Sequence, residues 1–308
     1  MRRIIPAVIL GLALLACSLV PAGPILQEAA SPSPAPSMPS PVPTVPPLTL
    51  DLLKNGIYQL VFQDSHPTVQ LKDGLFQSPG DPTSVDYKRV NLIEPVAFGD
   101  LNGDGSVDAA VLLAENYGGS GVFVSVLAIL DQGGKPVQAA SEIIDDRPKI
   151  NSLSIQGGQM NVDAIIHGPN DPGCCAAWPT KRSFRYQAGK LVMLSFSSGT
   201  PDGGERVISV DAPPGGGQVS WPVTVTGHVT IAPFENTLLY SVFNMNNDQL
   251  ATGTLLVQAN GLGGPGTFSV PIDLSKAGVT GPVRIQFEDS SPADASILAL
   301  DSVDLTIK

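Results

Sequence analysis

From Leu48 onward, apolar residues come mostly in short runs that Gly, Asn, Asp and Pro interrupt. Short apolar runs bounded by turn residues predict β-strands, because an amphipathic helix would instead repeat its apolar positions every three to four residues. Only residues 48–53 have the pattern of a helical turn. The hydrophobic pattern therefore predicts a mainly β protein.

The clearest pair of predicted strands is 109–116 and 122–130, two apolar runs that flank the short loop 117–121. The simplest arrangement for such a pair is an antiparallel hairpin in the core. Further turn signals that contain glycine follow at residues 131–134, 156–158 and 188–189. We therefore predict that residues 48–197 form a β-meander domain.

A second series of six or seven short apolar runs covers about 100 residues, 206–308, and this number and spacing predict an immunoglobulin-like β-sandwich. No cysteine lies beyond Cys175, so packing alone must hold the sandwich, with Trp221 as a candidate for its core or rim. The polar stretch 197–205 is predicted to be a flexible boundary between the two domains.

Composition narrows the class of protein. The chain is 43% apolar and 15% charged, which excludes a disordered chain, because disorder needs low hydrophobicity and high charge. The 32 glycines and 29 prolines agree with many turns and a linker. The formal charge of -11 excludes nucleic acid as a partner, since an acidic surface repels phosphate backbones.

The N-terminus has the pattern of a targeting signal. Arg2 and Arg3 precede the apolar run 4–16, which is too short to cross a bilayer as a helix and predicts a secretory signal peptide over residues 1–16. The run ends in Leu-Leu-Ala-Cys17, which resembles the bacterial lipobox. That resemblance implies lipidation of Cys17 and an extracytoplasmic protein anchored to the cell membrane. The alternative is an ordinary signal peptide with an incidental cysteine.

Residues 17–47 are predicted to form a linker. Eight of the seventeen residues in 31–47 are proline and none is charged, a composition that cannot bury a core and favours extended polyproline II. At about 3.1 Å per residue, such a segment could hold the following domains up to about 50 Å from the membrane.

Two resemblances concern the predicted domains. Residues 206–308 resemble the Gmad immunoglobulin-like domain of bacterial spore germination proteins, through the segments 207–217, 222–229, 268–274 and 297–305 with Phe234 and Glu235. This resemblance implies an extracytoplasmic interaction module without catalytic residues. Residues 48–197 resemble the LppP/LprE lipoprotein family through the segments 97–123 and 167–175. That resemblance implies a kind of lipoprotein rather than a defined activity.

The loop 100–108 has the spacing of a calcium site. Oxygen-bearing side chains occupy positions 1, 3, 5 and 9, and glycine occupies position 6, but Val111 stands where an EF-hand has its bidentate glutamate. The loop more closely resembles the DxNxDGxxD loops of integrin-type FG-GAP repeats. That resemblance implies a structural Ca²⁺ whose ligands are Asp100, Asn102, Asp104, the carbonyl of Ser106, and Asp108. The alternative is a tight turn whose side chains bond their own backbone.

The adjacent Cys174 and Cys175 are disulfide candidates. They can bridge each other in a strained eight-membered ring, stay free, or pair between molecules. A zinc site with His167 is disfavoured, because neighbouring cysteines chelate one ion poorly and no fourth ligand is evident. Redox catalysis would need a C-x-x-C motif, which the sequence lacks.

Enzyme signatures are missing from the sequence. It contains no G-x-S-x-G, H-E-x-x-H or phosphate-loop motif, and its three histidines are scattered. Tyr117, Trp178 and Tyr186 are candidates either for a glycan platform or for ordinary packing.

We therefore expect a non-catalytic, lipid-anchored surface protein that serves adhesion or scaffolding, with a cell-wall polymer or an envelope protein as its partner. One alternative is a hydrolase that acts on envelope polymers through an acidic patch around the Asp100 loop. Another is a calcium- or ligand-binding module.

Overall fold

Strands make up most of the chain, as the hydrophobic pattern predicts. The computed structural model describes residues 47–169, 171–261 and 263–308, all of which belong to one compact unit. The predicted signal peptide 1–16, Cys17 and the linker up to residue 46 lie outside the described residues. Among the described residues, no helix is long and apolar enough to span a membrane.

A small helix and a hairpin come first. Helix α1 (Leu50–Lys54) confirms the helical turn expected at 48–53, and the Thr49 hydroxyl caps it by accepting a hydrogen bond from the Leu52 amide. Strands β1 (Ile57–Gln59) and β2 (Thr68–Gln70) then pair antiparallel.

A five-stranded antiparallel sheet follows as a meander. Its strands are β3 (Leu75–Gln77), β4 (Arg89–Gly99), β5 (Asp108–Asn116), β6 (Phe123–Asp131) and β7 (Pro136–Asp146). β5 and β6 form the hairpin predicted from their apolar runs, which confirms that prediction. Both strands are buried along nearly their whole length, because each face of the sheet is covered.

Four more antiparallel strands and one two-residue strand follow. These are β8 (Lys149–Gln156), β9 (Gln159–Ile166), β10 (Trp178–Gln187), β11 (Lys190–Gly199) and β12 (Glu205–Arg206). The turn signals at 131–134, 156–158 and 188–189 each join consecutive strands, as predicted. The stretch 197–205, predicted to be flexible, is instead a hairpin in which β12 pairs with the end of β11, closed by a bond from the Thr200 amide to the Gly204 carbonyl.

The remaining residues form an immunoglobulin-like β-sandwich. Its strands are β13 (Ile208–Ala212), β14 (Gly217–Val219), β15 (Val223–Val229), β16 (Thr237–Asn244), β17 (Gln249–Leu256), β18 (Gln258–Ala259), β19 (Gly266–Ile272), β20 (Gly281–Ser290) and β21 (Ile297–Ile307). Two 3-10 turns, Phe234–Asn236 and Ser275–Ala277, connect them.

The sandwich divides its strands as immunoglobulin-like domains do. One sheet has the order β13-β15-β19-β18, and the other has the order β17-β16-β20-β21, with β14 added parallel to β21. Trp221 lies partly buried at the rim of the core, and its indole nitrogen donates to the Val279 carbonyl.

Three apolar clusters fill the layers. The first lies between the five-stranded sheet and the cover formed by α1, β1 and β2, and the second lies between that sheet and β8 to β11. The third fills the sandwich and draws its buried members only from residues 208–307, whereas the other two draw theirs from 48–191. The hydrophobic cores therefore separate along the chain.

A buried carboxylate fastens the cover to the five-stranded sheet. Glu115 is fully buried on β5 and accepts hydrogen bonds from the Val61 amide, at 2.8 Å, and from the Tyr117 hydroxyl. The ring of Phe62 stacks on Phe123 beside it. Glu115 therefore satisfies backbone donors of the segment that follows β1.

One sheet nevertheless crosses from the first region to the sandwich. β21 meets β11 at a single registered pair, Phe196 with Leu300, which completes a ten-stranded sheet. Side chains supply further bonds at this junction. They are Ser198 Oγ to the Leu298 carbonyl (2.7 Å), Ser302 Oγ to the Leu194 carbonyl (2.8 Å) and the ion pair of Arg185 with Asp304.

Candidate functional site

The Asp100 loop joins β4 to β5 and is held together by its own side chains. The Asp100 carboxylate accepts hydrogen bonds from the Gly103 and Gly105 amides, at 2.7 and 2.9 Å, and both glycines have positive φ. The Asn102 side chain accepts from the Asp104 amide. The loop therefore folds as successive Asx turns.

The side chain of Asp104 continues this pattern. It accepts a hydrogen bond from the Ser106 amide at 2.7 Å, and this bond, helped by the Asn102 amide group, lowers the pKa of Asp104. A carboxylate that stays ionised in an exposed loop also suits a cation.

The environment of Asp108 differs from that of Asp100, Asn102 and Asp104. It is fully buried, and its two oxygens accept from the Leu101 amide at 2.9 Å and the Asp131 amide at 2.8 Å. Burial raises the pKa of Asp108, and the backbone hydrogen bonds oppose that shift. Asp108 thus fastens the base of the loop to the β6–β7 turn.

The structure bears on the calcium site only through the grouping of these side chains. Among the described residues, no three side chains of His, Cys, Asp or Glu are grouped so as to hold a metal, so Asp100, Asp104 and Asp108 do not form such a group. The observed hydrogen bonds are those expected of a tight turn whose side chains bond their own backbone. The calcium site stays a prediction.

The cysteine loop, residues 168–169 and 171–177, lies between β9 and β10. Cys174 and Cys175 are exposed and joined to each other in a disulfide. The carboxylate of Asp171 accepts hydrogen bonds from the Gly168 and Ala177 amides, both at 2.9 Å, and these bonds lower the pKa of Asp171. Asp171 therefore closes the loop at its base.

A second contact supports the tip of the cysteine loop. The guanidinium of Arg147 donates to the Gly173 carbonyl and forms a 2.6 Å ion pair with Asp146. This pairing holds the pKa of Asp146 below its ordinary value. The residue before the disulfide is thus fixed to the turn that follows β7.

His167 stands at the start of the same loop. Its backbone amide and its Nδ1 atom both contact Asp145 Oδ2, at 2.6 and 2.8 Å. Since the two cysteine sulfurs are bonded to each other, the disfavoured zinc arrangement of His167, Cys174 and Cys175 is not assembled in the described part of the chain.

The predicted site residues form two separate sites. The Asp100 loop lies beside the turn that begins β9, since Gly158 approaches the Asp100 carbonyl, whereas the cysteine loop follows the end of β9. An eight-residue strand separates the two places by about 25 Å.

A third feature, which we name the sheet groove, was not predicted from sequence. Residues paired directly across β9, β10 and β11 share one face of a sheet, and here they form rows across the strands. The rows are Ile165 with Pro179, Asp163 with Lys181 and Ser197, and Asn161 with Ser183 and Ser195.

The sheet groove consists of three adjoining hollows of about 410, 380 and 370 Å³. The first and second share Asp163 and Lys181, and the first and third share Pro179, Gly199 and Thr200. The hairpin at 199–205 lines the first hollow, and the base of the cysteine loop lines the third. The result is one open channel whose lining is more apolar than polar, with polar side chains in rows along the strands.

One ion pair lies in the sheet groove. Lys181 Nζ lies 3.0 Å from Glu205 Oε1, and the Ser197 hydroxyl donates to the same carboxylate at 2.6 Å. These contacts lower the pKa of Glu205, with Ser197 as the larger cause. Asp163 accepts from the Asn151 side-chain amide at 2.8 Å.

The three aromatic candidates do not form one platform. Tyr117 packs on the first core and bonds Glu115, while Tyr186 and Trp178 pack on the second core at opposite ends of β10. Trp178 alone lines the sheet groove, with its indole nitrogen donating to the Gly199 carbonyl.

Comparison with known proteins adds no family. A scan of the chain against protein-family models and a search of curated proteins found no match. The resemblances to the LppP/LprE family and to the Gmad domain therefore stay predictions from the sequence.

Proposed function

We propose that this protein is a non-catalytic interaction module of the cell envelope, which binds an uncharged wall polysaccharide along the sheet groove. The observation that carries the proposal is the groove itself, three adjoining hollows in which rows of polar side chains lie among apolar surface. Lipidation at Cys17 would hold the module outside the membrane.

The groove chemistry supports a neutral, hydroxyl-rich ligand. Carboxylate, amide, ammonium and hydroxyl groups alternate on its floor and can both donate to and accept from sugar hydroxyls. Ile165, Pro179 and Trp178 add apolar surface at one end, where the face of a sugar ring could rest. Since Lys181 and Glu205 neutralise each other and Asp163 and Asp171 add negative charge, the groove offers little attraction to an anionic polymer.

The same geometry favours binding over hydrolysis. A glycosidase needs one carboxylic acid with a raised pKa to protonate the leaving oxygen. Asp163 and Glu205 both line the first hollow, but Lys181 and Ser197 lower the pKa of Glu205. Glu205 is therefore unsuited to the role of general acid.

The test is co-sedimentation of the full chain, in detergent, with purified cell walls and with soluble neutral wall polysaccharide. We expect binding to weaken about tenfold in D163A/K181A, because two polar contacts are lost. The matched control is D294A/K276A, which removes the same two charges from the loops of the sandwich. Equal binding by both double variants, or no retention of the wild-type chain, would overturn the proposal.

Anchoring has its own test. The C17A variant should leave the membrane fraction. Without Cys17 the protein has no site for the lipid whose hydrocarbon chains would anchor it. A C17A protein that stays in the membrane fraction contradicts the lipid anchor.

A second candidate function is calcium binding at the Asp100 loop, which the spacing of its oxygens favours. Calcium at ten times its Kd would stabilise the fold by about 1.4 kcal/mol. We expect D104A to abolish the calcium-dependent rise in Tm, whereas D86A in another exposed turn keeps it. No rise in the wild-type chain would assign the loop to a turn alone.

A further inference from the structure

We propose that the Cys174–Cys175 bridge is a thiol–disulfide exchange site that accepts two electrons from a dithiol, and that Arg147 stabilises the thiolate released in the first step. This inference is independent of the sheet groove and its ligand. It rests on the exposure of the bridge, on the way the loop is held, and on the charges around it.

Access to the sulfurs is the first requirement. Both cysteines and the two preceding residues, Pro172 and Gly173, are exposed, whereas the hydrophobic residues of the cores are buried. Exchange needs an incoming thiolate to reach one sulfur atom directly. A bridge at an exposed loop tip meets that requirement.

The loop is held by bonds that do not involve the bridge. Asp171 closes its base through the Gly168 and Ala177 amides, and Arg147 supports its tip through the Gly173 carbonyl. The Trp178 indole bonds the Gly199 carbonyl just beyond the loop. Opening the bridge would therefore leave the path of the chain in place, so a reduced and an oxidised form can share one fold.

The bridge also contributes little to the stability of the fold. A disulfide between adjacent residues closes the smallest possible loop of chain, so it removes almost no conformational entropy from the unfolded state. A stabilising role therefore does not account for the pair, in contrast to bridges that close long loops.

The reaction balances as follows. A thiolate of the donor attacks one cysteine sulfur, the S–S bond breaks, and the other cysteine leaves as a thiolate that takes up a proton. The second thiolate of the donor then attacks the donor's sulfur atom in the mixed disulfide and breaks the bond between donor and cysteine. This step releases the first cysteine as a thiolate, which is also protonated. Two electrons and two protons pass to the cysteines, and the dithiol becomes a disulfide.

Charges near the loop set the class of donor. Arg147 is a permanent cation that touches the loop, and a nearby cation favours a thiolate. The carboxylates of Asp145, Asp146 and Asp171 surround the same end of the sheet. The net charge of these four groups is negative and repels anionic thiols. The expected donor is therefore a dithiol that is neutral or cationic around its sulfurs.

The experiment uses the full chain in detergent, with dithiothreitol as the neutral dithiol, and counts the alkylated thiols on the peptide that contains Cys174 and Cys175 by mass spectrometry. We expect no free thiol on this peptide before treatment. After treatment we expect two, while circular dichroism and Tm stay unchanged. Two free thiols in the untreated chain, or a bridge that opens only when the protein unfolds, would overturn the proposal.

Two variants test the role of Arg147. We expect R147Q to slow reduction about threefold, because the released thiolate loses its neighbouring cation. The matched control K190Q removes an exposed cation at the first residue of β11, far along the sheet from the cysteine loop, and should keep the wild-type rate. Equal rates in R147Q and K190Q would remove Arg147 from the proposal.

Discussion

The strands β5 and β19 show how differently the two regions of the molecule use a β-strand. β5 is buried at every position except its last, because an apolar cluster covers each face of its sheet. β19 alternates strictly between buried and exposed positions, because its sheet has a core on one face and solvent on the other. Burial on both faces turns a strand into a continuous apolar run, whereas burial on one face gives a period of two.

The comparison also shows where chemistry is placed. The Asp100 loop and the cysteine loop belong to the region 48–205, and so do most of the residues that line the sheet groove. The sandwich buries its apolar residues in one cluster, and it adds Val207, Ile208 and Leu300 to the lining of the second hollow. The layered region thus carries most of the candidate site residues, and the sandwich extends its sheet.

The largest effect should come from core truncations on β5. Leu112 and Leu113 face opposite clusters and are both fully buried, so L112A and L113A should each cost about 2–5 kcal/mol of unfolding free energy. On β19, F268A should cost about 3–5 kcal/mol and its neighbour T267A less than about 0.5 kcal/mol. Urea denaturation measures all four. A neutral L112A or L113A would contradict burial on both faces of β5.

The next effect concerns the cover of the five-stranded sheet. E115A removes the acceptor of the Val61 amide and leaves buried donors without a partner, so we expect a loss of about 2–3 kcal/mol. E115Q keeps an acceptor oxygen and should lose less. Urea denaturation gives the totals, and faster amide exchange at Val61 locates the change. Equal losses in both variants would mean that packing, rather than the hydrogen bonds, accounts for the contribution of Glu115 to the unfolding free energy.

A smaller effect is expected where the two regions meet. Ser198 and Ser302 each donate to a carbonyl on the neighbouring strand, and S198A/S302A should lose about 1–2 kcal/mol in total. Because one sheet crosses the junction, the wild-type chain should unfold in a single calorimetric transition. Two transitions in the wild-type chain would show that the shared sheet does not couple the regions.

The smallest effect is local and depends on pH. The pKa of Asp171 is lowered from 3.8, so its closure of the cysteine loop is complete above that pH and is lost as the pH falls below it. NMR shifts of the Gly168 and Ala177 amides should report this opening while the cores stay intact. In D171N the acid transition of these amides should disappear. If it persists, another group titrates there.

These features differ in how far they can be predicted from the sequence. The β5–β6 hairpin and the sandwich strands were predictable, since apolar runs and turn residues are local signals. The sheet groove was not, because Asp163, Lys181 and Ser197 are far apart in sequence and become neighbours only through strand register. For the hairpin at 199–205 the sequence predicts flexibility and the structure differs, because polarity and glycine mark tight turns and open linkers alike.

The sheet shared by β11 and β21 affects how this protein would respond to proteolysis. A cut at the exposed hairpin tip 201–204 breaks the chain where it passes from one region to the other, yet the junction bonds and the Arg185–Asp304 ion pair do not depend on that peptide. The nicked protein would therefore migrate as one species on a native gel and as two fragments after denaturation. Expressing either half alone would instead expose an unpaired strand edge, which invites aggregation.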